Sequence, residues 1–150
     1  MATSKQIVGT RTSLSFSGLS TLANNTYVQN TTAYDCSTNQ PIDVIVEVEV
    51  ATTNTPASNK RVNVFIQDSL DGTNFRTGPT SGTTSTREPN LAYLGMVPLT
   101  TASTTERGMF SVISAIGYVP DSFYIVIRNE VGVALTSGAV YTSEISNTIA

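Results

Sequence analysis

The sequence predicts an all-β fold: a single antiparallel β-sandwich, jelly-roll-like, with an extended N-terminal arm; an Ig-like sandwich is the second choice. Three observations predict it. Short runs that alternate apolar and polar residues, rich in Val, Ile and Thr, recur at regular spacing. Turn residues separate them, as at Asn24-Asn25 and Asp71-Gly72. No window carries a helical period, and Thr100 to Glu106 reads as a brief turn at most. At 150 residues the chain has the length of one domain. Residues 1–40 read as the arm and first short strands and residues 41–150 as the β-sandwich domain, with about eight strands in all.

The elements follow in order. Gln6-Ile7-Val8 and Ser13-Leu14-Ser15-Phe16 each suit a short strand, with Gly18 as turn punctuation. Ile42 to Ala51 is the clearest element. Val44, Val46, Val48 and Val50 fall on one face; Asp43, Glu47 and Glu49 fall on the other, with Ile45 the exception. Thr52 to Lys60, with Pro56, reads as a loop. Arg61 to Gln67 alternates again, Val62, Val64 and Ile66 against Asn63, Phe65 and Gln67. Asp71-Gly72 marks a tight turn. Gly78 to Asn90 is polar and long for a loop, and such loops are often functional or mobile. Ala92–Val97, Arg107–Ser114, Ser122–Asn129 and Ala139–Ile145 complete the strands, with a turn at Asn129-Glu130-Val131-Gly132.

Composition narrows the chemistry. Net charge is −3, and the eight Lys and Arg do not cluster, so no nucleic-acid footprint is expected. The absence of His removes the commonest general base and every Ser-His-Asp or Cys-His scheme. One Cys permits no internal disulfide, and no cofactor or metal site is expected. No stretch is long and apolar enough for a membrane span, and no apolar segment follows the N-terminal Met1-Ala2-Thr3-Ser4-Lys5, so no signal peptide is expected.

The remaining candidates read as structure. Glu47 and Glu49 share one strand face, whereas a glycosidase needs carboxylates opposed across a cleft. They read as a solvated outer face on which Arg61, Arg107 and Arg128 are possible partners. Asp68 to Asn74 looks like a calcium loop, but Leu70 occupies a ligand position and no terminal Glu follows, so it reads as a turn. Cys36 has no His or cation near it in sequence and reads as a buried thiol. The six Tyr read as half-buried strand residues.

A family resemblance covers roughly Val44 to Tyr141, about two-thirds of the chain. Val62-Asn63-Val64-Phe65-Ile66-Gln67-Asp68-Ser69-Leu70-Asp71-Gly72-Thr73-Asn74-Phe75 resembles a segment of tailed-bacteriophage virion proteins, in which a V-x-V strand leads into an S-x-D-G-x-x-F turn. Leu94-Gly95-Met96-Val97-Pro98 resembles their LG-x-V/I segment. Arg107-Gly108-Met109-Phe110-Ser111-Val112 resembles their R-x-x-x-F-S-V strand, one residue shorter before the Phe. Gly117-Tyr118-Val119-Pro120, the Phe123–Asn129 run and the Gly132–Gly138 stretch resemble the family's ending, with Val131 where Thr is commoner.

The resemblance implies a capsid decoration, or cement, protein. Such a protein is no enzyme. It is made in the bacterial cytoplasm, sits on the virion surface and stabilises an assembled shell by binding the major capsid protein, and it is expected to act as a homo-oligomer, a dimer or trimer. A tail or head–tail joining protein, or a glycan-binding sandwich, is the alternative. The first 40 residues take no part in the resemblance. On physical grounds alone, Ile7, Val8, Leu14 and Phe16 are the expected apolar anchors by which the arm would reach a neighbouring subunit.

Overall fold

The computed structural model describes residues 3–149. Ten strands form two antiparallel sheets. In chain order they are β1 (Ser4–Val8), β2 (Thr12–Leu14), β3 (Tyr27–Gln29), β4 (Tyr34–Asp35), β5 (Asp43–Ala51), β6 (Arg61–Ser69), β7 (Ala92–Pro98), β8 (Glu106–Ser111), β9 (Ser122–Glu130) and β10 (Ser137–Ile149). A five-residue helix, α1 (Val112–Ile116), sits between β8 and β9.

β1 and β2 both pair with β10, and β3 and β4 both pair with β9, so each couple fills one strand position. The first sheet then runs β1/β2, β10, β5, β8, and the second runs β3/β4, β9, β6, β7. Counted as eight positions, first pairs with eighth, second with seventh, third with sixth and fourth with fifth. That is a long hairpin rolled up, the jelly-roll order, and it differs from the Ig order. Residues 4–35 therefore supply the first strand of each sheet, with no structural break at residue 40.

The core lies between the sheets. Val44, Val46, Val48 and Val50 of β5 face Val62, Val64 and Ile66 of β6 and Phe123, Ile125 and Ile127 of β9 in one buried cluster. The two sheets then diverge. β5 keeps the alternation of a strand with one wet face, half-buried and buried residues in turn. β6 is buried on both faces after Arg61, so Phe65 and Gln67 are buried along with Ile66.

The reason is the connection from Leu70 to Leu91. It folds back over the outer face of the second sheet and encloses a second small core of Tyr27, Phe65, Leu91 and Val126. The polar run at residues 78–90 is thus part of a cover. The Tyr27 N–H donates to the Gly82 carbonyl at 2.9 Å, and Gln67 Nε2 donates to the Arg76 carbonyl at 2.6 Å. The Phe75 ring packs on Tyr124, centroids 5.0 Å apart. Arg128 holds Glu88 at 2.8 Å, and the Tyr27 hydroxyl donates to the same carboxylate.

Two expectations change. Arg107–Ser114 is not one strand: it breaks at Ser111, whose Oγ accepts the Ser114 N–H at 3.1 Å and starts α1. Gly117, at φ 85°, ends the helix. Asp43 of β5 accepts the Ile113 N–H at 3.0 Å and ties the helix to the sheet. β3 and β4 are additional strands, too short to show a period.

Where the edges of the two sheets meet, the Phe110 ring lies against two glycines. A Cβ on Gly95 of β7 would overlap Phe110 Cε1, and one on Gly108 of β8 would lie 2.7 Å from Phe110 Cζ. The LG-x and R-G-M-F segments thus meet as one packing unit. Gly95→Val should displace the ring and cost about 1–3 kcal/mol, the usual range for overpacking. Urea denaturation checks it; an unchanged midpoint would show that the ring relocates freely.

Candidate interaction surface

The outer face of the first sheet is the one broad sheet face that the described chain leaves uncovered. Four apolar side chains form a diagonal stripe across it. Val8 of β1 pairs directly with Ile145 of β10. Ile145 pairs with Asp43, and Ile45 lies two residues further along β5 on the same face. Ile45 pairs with Ser111, and Met109 lies two residues back along β8. Val8 and Met109 are each 67% exposed, and Ile45 and Ile145 are half-buried between them. Ile45, which breaks the alternation of β5, is the sequence's mark of this stripe.

An ionic cluster flanks the stripe. Thr12 pairs with Thr142 while Val8 pairs with Ile145, so one extra residue is inserted between β1 and β2. This bulge carries Arg11 over the sheet face. Its guanidinium lies 3.3 Å from the Tyr141 ring centroid and bonds both oxygens of Glu47, at 3.0 and 2.8 Å, and Glu49 at 2.8 Å. Arg107 holds Glu49 at 2.8 Å from the far side. Two cations thus offset two carboxylates, and Arg11 keeps Glu47 below the usual carboxylate range. Exposed pairs of this kind contribute little stability. Their effect is to offset the charges of Glu47 and Glu49 beside the stripe. Of the partners expected for Glu47 and Glu49, Arg107 is found. Arg61 and Arg128 belong to the other sheet, where both hold Glu130, at 2.9 and 3.1 Å. Arg11 was not foreseen, because nothing in the sequence marks the bulge.

The four expected anchors separate into two pairs. Ile7 and Val8 lie on β1 and are exposed, and Val8 begins the stripe. Leu14 and Phe16 pack against the core and, with Leu19 and Val140, line a cleft of ≈ 220 Å³. Ile7, Val8 and Leu14 lie on their own chain's ladder with β10, and Phe16 bridges Asn30.

The other candidates are engaged internally. Asp71 accepts the backbone N–H groups of Asn74, at 2.7 Å, and Thr73, at 2.9 Å, and its pKa is driven far down. Burial pushes Asp68 up, but Arg76 at 2.6 Å and the Tyr118 hydroxyl outweigh it and hold the carboxyl below its ordinary value. Cys36 is buried, and burial with nearby carboxylates pushes its thiol up to about 12. Among the described residues, no group of three or more Cys, Asp or Glu is placed to hold a metal ion, and no helix is long and apolar enough to cross a membrane. Compared with known protein families and with curated proteins, the chain matches none.

These groups set the pH response. Depressed carboxylates such as Asp68 stabilise above the unfolded value of about 3.9, and that stability is lost as pH falls through the folded value. Burial raises Tyr27 and Tyr34, helped by bonds to Glu88 and Glu144; raised groups stabilise below the unfolded value of about 10 and lose that stability as pH rises. With no His, unfolding free energy should stay flat from about pH 5 to 8 and fall on both sides, the alkaline limb beginning where the unfolded Cys36 thiol ionises, at about 8.5. Asp68→Asn should cost about 1–3 kcal/mol at pH 7 and shallow the acid limb. Urea titrations across pH check both; a step near pH 6.5 would contradict the first.

Proposed function

We propose that the chain is a virion structural protein that binds the outside of an assembled phage capsid and stabilises it. The observation that carries this reading is the uncovered face of the first sheet, with its apolar stripe beside a neutralised ionic cluster. A chain that covers one sheet with its own loop and leaves the other bare has one face suited to a protein partner. The stripe supplies dry contact. The paired Arg and Glu present geometry without net charge, so they neither repel nor strongly select a charged partner. The resemblance to decoration proteins supplies the partner, the major capsid protein. Many equivalent copies on a symmetric shell turn modest single-site affinity into lasting attachment, and binding only to assembled sites stabilises the shell by mass action. Jelly rolls also serve lectins, and the fold alone does not choose.

The test is cosedimentation with purified capsid shells of the source virus. The chain should bind at a simple ratio to the major capsid protein and raise the temperature at which shells open. Met109→Asp should raise the concentration needed for half-saturation at least about tenfold, the effect of roughly 1.4 kcal/mol per site, with the fold unchanged. Failure of the unaltered chain to sediment with shells would overturn the reading. Binding at only a few copies per particle would favour the head–tail joint instead.

A further inference from the structure

β10 outruns its neighbour. β5 ends its ladder with Asp43 opposite Ile145, while β10 continues to Ile149 paired only with β1. The Gly9 N–H donates to the Glu144 carbonyl on the β1 side, and the Ile42 N–H donates to the Ile145 carbonyl on the β5 side. Backbone groups alternate along a strand. Ser146 and Thr148 therefore face β1, and Asn147 and Ile149 turn their N–H and C=O to the side that β5 has left.

Every other outer edge is blunted. β1/β2 carries Lys5, Arg11 and the bulge. β3 and β4 are three and two residues long. β7 has an irregularity opposite Val64/Phe65 and ends in Pro98. β8 carries Glu106 and Arg107. These are the devices by which proteins prevent edge pairing. The stretch Ser146-Asn147-Thr148-Ile149 has none: no charge, no Pro, no bulge.

We propose that this edge pairs with the same edge of a second copy, antiparallel about a two-fold axis through Thr148. Asn147 then faces Ile149 of the second copy and exchanges both backbone bonds with it, and the symmetric pair repeats the exchange. All the open groups are satisfied in one register. Thr148 meets itself in a non-hydrogen-bonded pair, a favourable Thr–Thr contact. Ile42, which continues the β5 line, limits the pairing at each end. A two-fold contact of this kind is isologous and closes, so it yields dimers and not fibres. The proposal does not depend on the virion reading.

The test uses the register. Cα atoms of a non-hydrogen-bonded pair lie about 4.5 Å apart, within disulfide range. Thr148→Cys should form a covalent dimer on mild oxidation. Ser146→Cys, also exposed, would lie about 13 Å from its counterpart at the strand rise of about 3.4 Å per residue, and should not. Buried Cys36 is common to both variants. Asn147→Pro removes an N–H that points away from β1, so it should weaken dimerisation in sedimentation equilibrium while leaving the melting temperature at high dilution, where the chain is monomeric, unchanged. Cross-linking of Thr148→Cys no greater than that of Ser146→Cys, with both variants folded by circular dichroism, would overturn the proposal.

Discussion

The interaction on which the rest of the structure depends is the packing of the Leu70–Leu91 connection onto the second sheet. A two-layer sandwich has two outer faces, and both would ordinarily be wet. Here Phe65 and Val126 point outward from the second sheet and are buried all the same, because Leu91 and Tyr27 close over them. The connection is anchored at its C-terminal end by Glu88, which Arg128 and Tyr27 hold together. It is anchored at its N-terminal end by Arg76, whose Nε bonds Asp68 and whose carbonyl accepts from Gln67. Gly78 has no side chain, so Leu91 can lie against its backbone. A polar, low-complexity segment thus becomes a structural layer.

The asymmetry that follows separates a structural face from an exposed one. The second sheet spends its outer side chains on its own cover. The first sheet keeps its alternation, and its outer residues meet solvent. Val8, Ile145, Ile45 and Met109 then form a stripe that no intramolecular contact requires. Arg11 reaches that face only through the bulge between β1 and β2, and together with Arg107 it offsets Glu47 and Glu49, which would otherwise leave a like-charged edge beside the stripe. The β10 extension belongs to the same sheet, so the exposed stripe and the open strand edge adjoin at one end of the molecule.

Much of the fold was legible because β5, β6, β9 and β10 are long enough for period-2 patterning to show. The valines of β5 face inward as the alternation requires, and Ile45, the residue that broke the pattern, lies on the exposed stripe. The alternation of β6 was equally clear but could not reveal that both of its faces are buried, since the cover comes from residues far along the chain. β3 and β4 are too short to carry a period. In α1, Val112 and Ile113 continue the apolar run of β8, and only Ser111 and Gly117 mark the change to helix. Of the expected anchors, Val8 reached the stripe, while Leu14 and Phe16 follow the pleat of β2 and its continuation inward. The stripe itself was illegible, because it joins four strands by register.

The central claim is that the two outer faces differ in kind, one buried by the chain's own loop and one left open. Matched substitutions measure this directly: Val126→Lys on the outer face of the second sheet and Ile45→Lys on that of the first, compared by thermal unfolding. Val126 is fully buried in the cover, whereas Ile45 is half-buried beside solvent. The account predicts that Val126→Lys loses several kcal/mol, on the order of 3–5, or fails to fold, because it buries an unpaired charge. Ile45→Lys should lose less than about 1 kcal/mol, since the long side chain can lay its stem along the stripe and keep its charge in water. Equal losses at the two sites would contradict the account.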